Sequence, residues 1–316
     1  AMAPDAPGPL VWAYPFDEYH AMTFGPGDRL GEVFFGDWFL RGAVNQGLPL
    51  NTVVSTANAV AILARRPEAL ARARDLKAID EGSLDAAAGV AGADLVFLCV
   101  PVLTIARLLP SLAPHLRDGA TVTDVGSTKA AIVGQGEALL PGRFIGGHPM
   151  AGSEQAGIDA ARADLFEFAT WALTPGGAAA SWEPLAELIT GLGARPLVLS
   201  PEEHDRAVAA TSHLPHAVAA ALARVVAESL GEVPAVAQLA AGSYRDTTRV
   251  AASDSALWRD VFLTNREPLL RVLEQMAGCL DEVVDAMRRD DAAAIERFFA
   301  EGKEAKLAVE RARQKG

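Results

Sequence analysis

Basic residues are scarce in this chain. Of 316 residues, 28 are Lys or Arg against 40 Asp or Glu, a formal net charge of −12. A protein that grips a phosphate backbone needs a basic face, so nucleic acid is excluded as a partner. Cysteine is scarcer, with Cys99 and Cys279 alone. Cys99 lies inside an apolar run, which fits a buried free thiol better than a disulfide or a metal site. No apolar run approaches the roughly 20 residues that span a bilayer, so no membrane partner is expected. The first residues lack a basic stretch followed by a continuous apolar core, so no secretory signal is expected. These absences predict a reducing, cytoplasmic setting. Internal repeats and low-complexity tracts are also missing.

What is present is apolar mass. Half of the residues are apolar, enough for one large domain or two of ordinary size. Residues 1–20, rich in Pro and Ala, read as a disordered leader. Aromatics crowd at Phe24, Phe34, Phe35, Trp38 and Phe39, and thin out after about residue 65. From Arg65 onward, strands alternate with helices. Asp94–Val102 is a continuous apolar run of the kind buried on both faces, broken by Pro101. Thr121–Val125, Arg143–Gly147, Thr170–Pro175 and Arg195–Ser200 read as further strands, with a helix over Trp182–Leu192. The alternation predicts an α/β fold: a Rossmann-type, doubly wound, mostly parallel sheet. Ser200-Pro201-Glu202-Glu203 then spells a helix start. Helices alone follow: Glu203–Ser212, Ala217–Leu230, Pro234–Ala241, Ser255–Gly278 and one from about Asp290. A domain boundary is therefore placed at 200. Residues 1–200 would bind a dinucleotide, and residues 201–316 would form a helical substrate and dimerisation domain. Its Ala- and Leu-rich helices carry more apolar face than one small bundle hides, which points to a homodimer.

A Rossmann unit needs GxGxxG after its first strand and an acidic residue after its second. The nearest glycine pattern is Gly25-Pro26-Gly27-Asp28-Arg29-Leu30-Gly31, after a weak strand at His20–Phe24. A chance surface turn reads equally well there. The second strand is expected within Thr52–Leu63, and Arg65 and Arg66 follow where a ribose-binding carboxylate would stand. Two arginines suit a 2′-phosphate, which favours NADP over NAD; alternatively they are a solvated helix start. Val100 and Pro101, ending an apolar strand, are placed on the cofactor side, as is Gly126.

Gly126-Ser127-Thr128 closes one strand and opens a helix, leaving free N–H groups. Ser127 is a candidate ligand contact or a plain helix cap. Lys129, poorly placed for the helix dipole, is a further candidate ligand group. His148 sits on a Gly-flanked turn after the next strand, where a group titrating near pH 6.5 can exchange protons. Ser153 and Glu154 would line the same pocket. His213 and His216 flank Pro215, with neither an HExxH pattern nor a cysteine pair to support a metal, so none is expected. Arg249, in a segment with Tyr244, Arg245 and Asp246, suits a carboxylate, either Asp246 or a ligand.

Four of these segments agree with one another. DVGSTK (Asp124–Lys129), GGHPMAGSE (Gly146–Glu154), SHLPHAVA (Ser212–Ala219) and RDTTRVAASDSALWRDVFLTN (Arg245–Asn265) resemble the prephenate/arogenate dehydrogenase family over about residues 60–290. The resemblance implies a Rossmann-type domain followed by a helical dimerisation domain. It implies oxidation of prephenate or arogenate by NAD or NADP, with loss of carbon dioxide, on the way to tyrosine. His148 matches the family's proton acceptor, and Ser127 the Ser that holds the ring hydroxyl and the nicotinamide. Arg249 matches the residue that binds a substrate carboxylate, while Ser153, Ser212, His213, His216 and Asp246 match pocket positions. The chain departs from the family at its N-terminus, where the glycine pattern is degenerate. Two other readings stay open: another Rossmann-plus-helical hydroxy-acid dehydrogenase, and a catalytically impaired nucleotide-binding paralogue.

Overall fold

The computed structural model of the chain describes residues 10–11, 13–15, 19–23, 60–64, 67–75, 81–151, 164–177 and 181–315. The backbone divides into two compact units, Ala1–Asn265 and Arg266–Gly316.

The first unit is built on a sheet. Its strands are β1 (Leu10–Val11), β2 (Ala13–Pro15), β3 (Tyr19–Thr23), β4 (Val60–Ala64), β5 (Glu81–Ser83), β6 (Leu95–Leu98), β7 (Thr121–Asp124), β8 (Phe144–Pro149), β9 (Thr170–Pro175) and β10 (Arg195–Val198). The order runs β10-β9-β8-β7-β6-β1-β4-β3-β2, with β5 also paired to β4. β1 runs parallel to both β4 and β6, and the ladder continues parallel through β7 and β8. β9 pairs antiparallel with β8, so the sheet is mostly but not wholly parallel. Strand order reverses between β1 and β6, which opens a crevice at their carboxyl ends, where such sheets bind ligands.

Helices α1 (Pro67–Asp75), α2 (Ala86–Val90), α3 (Val102–Leu112), α4 (Ala130–Leu139) and α5 (Glu183–Gly191) connect the strands. Pattern explains the burial. β6 places Val96, Phe97 and Leu98 in the core, and α3 buries Val102, Ile105, Leu109 and Leu112 at helical spacing along one face. Each such side chain contributes about 1.5–3 kcal/mol. Helix α4 approaches β8 closely because Gly136 has no side chain; a Cβ there would overlap the Phe144 ring.

Beyond Ser200 come α6 (Pro201–Val208), a π-helical turn (Ala209–His213), α7 (Leu214–Glu232), α8 (Val236–Leu239), α9 (Gly242–Thr248), a 3₁₀ turn (Arg249–Ala252) and α10 (Ser255–Thr264). The capping box at Ser200 and Glu203 forms as expected. Helix α6 packs on α4 and β9, and α10 on α3, so these helices belong with the sheet. The second unit is a pair of helices, α11 (Arg266–Arg288) and α12 (Ala292–Lys315), packed on each other. Asp290 turns the chain between them at φ 52°, a left-handed conformation that Asp tolerates.

Two expectations need correction. Part of the supposed leader is strand: β1, β2 and the start of β3 lie within residues 1–20. The helix expected over Ser255–Gly278 is broken at Asn265, whose amide is buried and bonded elsewhere. No helix among the described residues is long and apolar enough to cross a membrane.

Candidate active site

Asp124 ends β7 with its carboxylate fully buried. Oδ2 accepts the Gly126 N–H at 2.8 Å, and Oδ1 accepts the Gly147 N–H at 3.1 Å. One side chain therefore ties the glycine turn after β7 to β8, which runs on through Gly147 and His148 to Pro149, so the turn expected to carry His148 is strand. Both positions need glycine. A Cβ on Gly126 would lie 2.8 Å from that carboxylate, and one on Gly147 would press on the Asp124 carbonyl and lie 2.9 Å from Thr123 Oγ1.

Lys129 is also fully buried and ion-pairs with Asp124 through Nζ. Burial pulls its ammonium below the ordinary value, against the opposing pull of Asp124. This corrects the expectation of a ligand-binding Lys129, because the charge that looked misplaced on a helix start is committed to an internal pair. Nor does Ser127 cap the helix. The first N–H groups of α4 are accepted from outside by Asp205 of α6, from Lys129 at 2.7 Å and Ala130 at 2.9 Å. Ser127 stays half-buried, and its hydroxyl bonds to no described residue. Thr128 donates to Thr264 Oγ1 at 2.9 Å, because the Thr264 hydroxyl hydrogen is given to the Asp260 carbonyl.

His148, in β8, is buried and leads into a chain of rings. Its Nδ1 lies 2.8 Å from His204 Nε2, and His204 Nδ1 lies 2.8 Å from Asp205 Oδ1. Burial holds His148 well below its ordinary value, and the charges of His204, Lys129 and His213 push the same way. His148 is therefore neutral at pH 7, as a proton acceptor must be.

A second cluster gathers on α7 and α10. Asn265 Nδ2 donates to the Asp205 carbonyl at 2.7 Å and to His213 Nδ1 at 3.0 Å. Accepting at Nδ1, neutral His213 carries its proton on Nε2, which is buried and has no partner among the described residues. Burial lowers its pKa to about 4. His216 stacks on Trp258 with centroids 3.6 Å apart, and donates Nδ1–H to the Ser212 carbonyl at 2.8 Å. Burial holds His216 below its ordinary value, and the Arg249 guanidinium adds to that effect. The π-helical turn that sets Ser212 and His213 precedes Pro215, which has no N–H to give to the ladder.

The structure thus joins His148 to the His213 cluster through His204, Asp205 and Asn265, and puts Arg249 close enough to His216 for its charge to act there. Arg249 is exposed, on a short 3₁₀ turn at the surface. Asp246 likewise faces solvent, beside Arg245 at 3.5 Å. Val100 is buried and Pro101 half-buried between β6 and α3, at the same sheet edge as Gly126. Gly25, Gly27, Arg65, Arg66, Ser153 and Glu154 lie outside the described residues. Sequence reasoning missed His204, Asp205 and Asn265. A signal for the first existed: His204 and Val208 are four apart on a helix that otherwise reads as charged, which puts His204 on the inner face.

Two family models match the chain. "Prephenate dehydrogenase, nucleotide-binding domain" matches residues 55–198, and "Prephenate dehydrogenase, dimerization domain" matches residues 200–301. A prephenate dehydrogenase of Lactococcus lactis is 39% identical over 238 residues, 74% of this chain. The match spans 66% of that protein's length, just short of two thirds. A cyclohexadienyl dehydrogenase of Zymomonas mobilis is 36% identical over 243 residues, covering 75% of this chain and 83% of that one. Among solved structures, prephenate dehydrogenase from Aquifex aeolicus in complex with hydroxyphenyl propionate and NAD+ is similar at a TM-score of 0.72 and 29% identity. It covers 88% of this chain and 96% of that one.

Proposed function

The chain belongs to the prephenate dehydrogenase family, and from that premise we propose that it oxidises prephenate or arogenate with a nicotinamide dinucleotide, releasing carbon dioxide and 4-hydroxyphenylpyruvate or tyrosine. The observation that carries this reading is His148, a buried, neutral imidazole at the carboxyl edge of the sheet, beside the turn that holds Ser127. The reading assigns His148 the proton of the ring hydroxyl and Ser127 a hydrogen bond to the same oxygen. Arg249 and His216 receive a substrate carboxylate, and the unpartnered Nε2–H of His213 gains an acceptor from the bound substrate. Ser153, Ser212 and Asp246 complete the pocket. No strong acid or metal is required, since forming an aromatic ring drives the loss of carbon dioxide; the protein orients its reactants and moves one proton.

The residues at the crevice fit a dinucleotide. Val100, Pro101 and Gly126 stand at the carboxyl ends of β6 and β7, beside the reversal of strand order. When bound, the nicotinamide accepts the hydride. Arg65 and Arg66, with no carboxylate beside them, support NADP over NAD. The helical part after residue 200 is proposed to pair with a second copy. Support comes from the dimerisation-domain match and from the exposed apolar side chains of α7 and α8, including Val225, Leu230 and Leu239. The test is direct. Purified protein is mixed with prephenate or arogenate and NAD or NADP, and absorbance of the reduced nicotinamide is followed. Turnover with at least one pair is expected; silence from all four overturns the reading.

A further inference from the structure

We propose that His204 and Asp205 are positioning residues that fix the tautomer of His148 and hold the proton it accepts until the product oxygen takes it back. The proposal rests on the dehydrogenase reading above, but its first test does not.

Asp205 anchors the chain of rings. A carboxylate only accepts hydrogen bonds, so His204 Nδ1, 2.8 Å from Oδ1, carries a hydrogen. In neutral His204 the other nitrogen, Nε2, is then a lone pair. His148 Nδ1, 2.8 Å from it, must donate. His148 is thereby fixed with its hydrogen on Nδ1 and its lone pair on Nε2, to which no described residue bonds. Without His204, a buried imidazole could place its hydrogen on either nitrogen, and the Nε2–H form cannot accept the substrate proton.

The charges around the rings allow the second role. The titratable groups facing them are Asp124 at the end of β7, Lys129 at the start of α4, Asp205 on α6 and His213 on the π-helical turn. Asp205 stands against His204, while Lys129 and His213 disfavour an imidazolium at His148, so a proton taken up by His148 is drawn toward the carboxylate end of the chain. The proton follows from the chemistry. As hydride leaves the carbinol carbon and the carboxylate departs as carbon dioxide, the electron pair of the broken C–C bond flows through the ring, and the hydroxyl proton passes to His148 Nε2, leaving that oxygen a phenolate. His148 Nδ1 can then pass its own hydrogen to His204 Nε2, placing the imidazolium beside Asp205. The phenolate takes the proton back by the reverse route. Hydride and carbon dioxide leave, and no net proton is released.

The experiment has two arms. Nitrogen NMR of the wild-type protein labelled with ¹⁵N-histidine, at pH 7 and without substrate, is expected to show His148 protonated at Nδ1 and bare at Nε2. A protonated Nε2 overturns the proposal, whatever the protein turns over. In the second arm, His204→Gln keeps an acceptor for His148 Nδ1–H but cannot hold a proton. Its kcat is expected to fall about tenfold or more, with KM for substrate and Kd for nucleotide within about twofold and the acid limb of the kcat profile displaced. Wild-type kcat and pH profile in a folded His204→Gln protein overturn the relay. Asp205→Asn, read in the same way, serves if that variant does not fold. Silence of the wild type itself would instead remove the dehydrogenase reading and leave the tautomer measurement standing.

Discussion

Asp205 Oδ1 accepts the backbone N–H of Lys129 at 2.7 Å, across 76 residues of chain. The bond makes one carboxylate serve two ends. It satisfies the opening N–H groups of α4, where a negative charge is favoured by the helix dipole. It also anchors the ring chain that ends at His148. The turn bearing Ser127 and the strand bearing His148 are therefore set by α6 as well as by their own strands.

The buried Asp124–Lys129 pair is expected to matter more to stability than to chemistry. Asp124→Ala leaves an ammonium without its partner and two backbone N–H groups without an acceptor. Breaking such a pair costs about 3–5 kcal/mol. Urea denaturation of Asp124→Ala, Lys129→Met and the double variant measures the coupling. Additive losses in the two single variants would show that the pair is not coupled at all.

His148→Asn is expected to lower kcat by about 10²–10⁴-fold, the usual contribution of a positioned base, while leaving nucleotide binding intact. Steady-state kinetics with equilibrium binding separates the two. A variant that retains wild-type turnover removes His148 from the chemistry.

Gly147→Ala tests the close approach of β8 to β7. The added methyl meets the Asp124 carbonyl and Thr123 Oγ1, neither of which can swing aside as the end of a flexible side chain would. Overpacking of this kind costs about 1–3 kcal/mol. The melting temperature should drop and kcat should fall with it, since the displaced strand carries His148. Unchanged values of both would mean that the sheet yields without cost.

Much of the sheet was legible from sequence because buried parallel strands are continuous apolar runs, as in Asp94–Val102, and because Ser200 and Glu203 spell out a capping box. His148 and Ser127 stood out because glycines stand beside each after such a run, although β8 carries His148 in the strand itself. What stayed hidden was pairing between distant segments. Lys129 looked like a ligand group because its partner, Asp124, lies on the preceding strand rather than on the same helix face. His204-Asp205 looked like part of a solvated helix start, because neighbouring Glu202, Glu203 and Arg206 are charged. Asn265 broke a helix that periodicity would continue, because its amide is taken by the Asp205 carbonyl and the His213 ring.

Stability should fall on mild acidification. His148, His213 and His216 all have folded values below 6.5. Below about pH 6.5 the unfolded chain takes up protons that the folded chain refuses, so unfolding gains. The stabilisation is whole above that pH and is lost as pH falls, for His213 over the window down to about 4. His148 and His213 each contribute up to about 1.4 kcal/mol per pH unit inside their windows, and half-buried His216 contributes less because solvent screens it. Urea titrations from pH 7.5 to 4.5 should show this slope, and His213→Gln should flatten it. An identical slope in the variant would remove His213 from the account.

Arg249 offers the cleanest separation of binding from folding. It is exposed and forms no ion pair with a described residue, so truncation should leave the melting temperature within about a degree, as surface changes of less than about 0.5 kcal/mol do. The guanidinium nevertheless stands near His216, close enough to disfavour an imidazolium there. A carboxylate lodged between the two would gain a charge-assisted bond worth about 1.5–3 kcal/mol. Arg249→Ala should therefore raise substrate KM by roughly 10- to 150-fold, with a smaller change in kcat. Arg249→Lys should recover only part of the loss, since a point charge cannot reproduce a two-pronged contact. Arg249→Ala should also shift His216 upward, because a nearby positive charge is gone. Substrate KM and the His216 titration can be measured on one preparation, and an unchanged KM would place the carboxylate elsewhere.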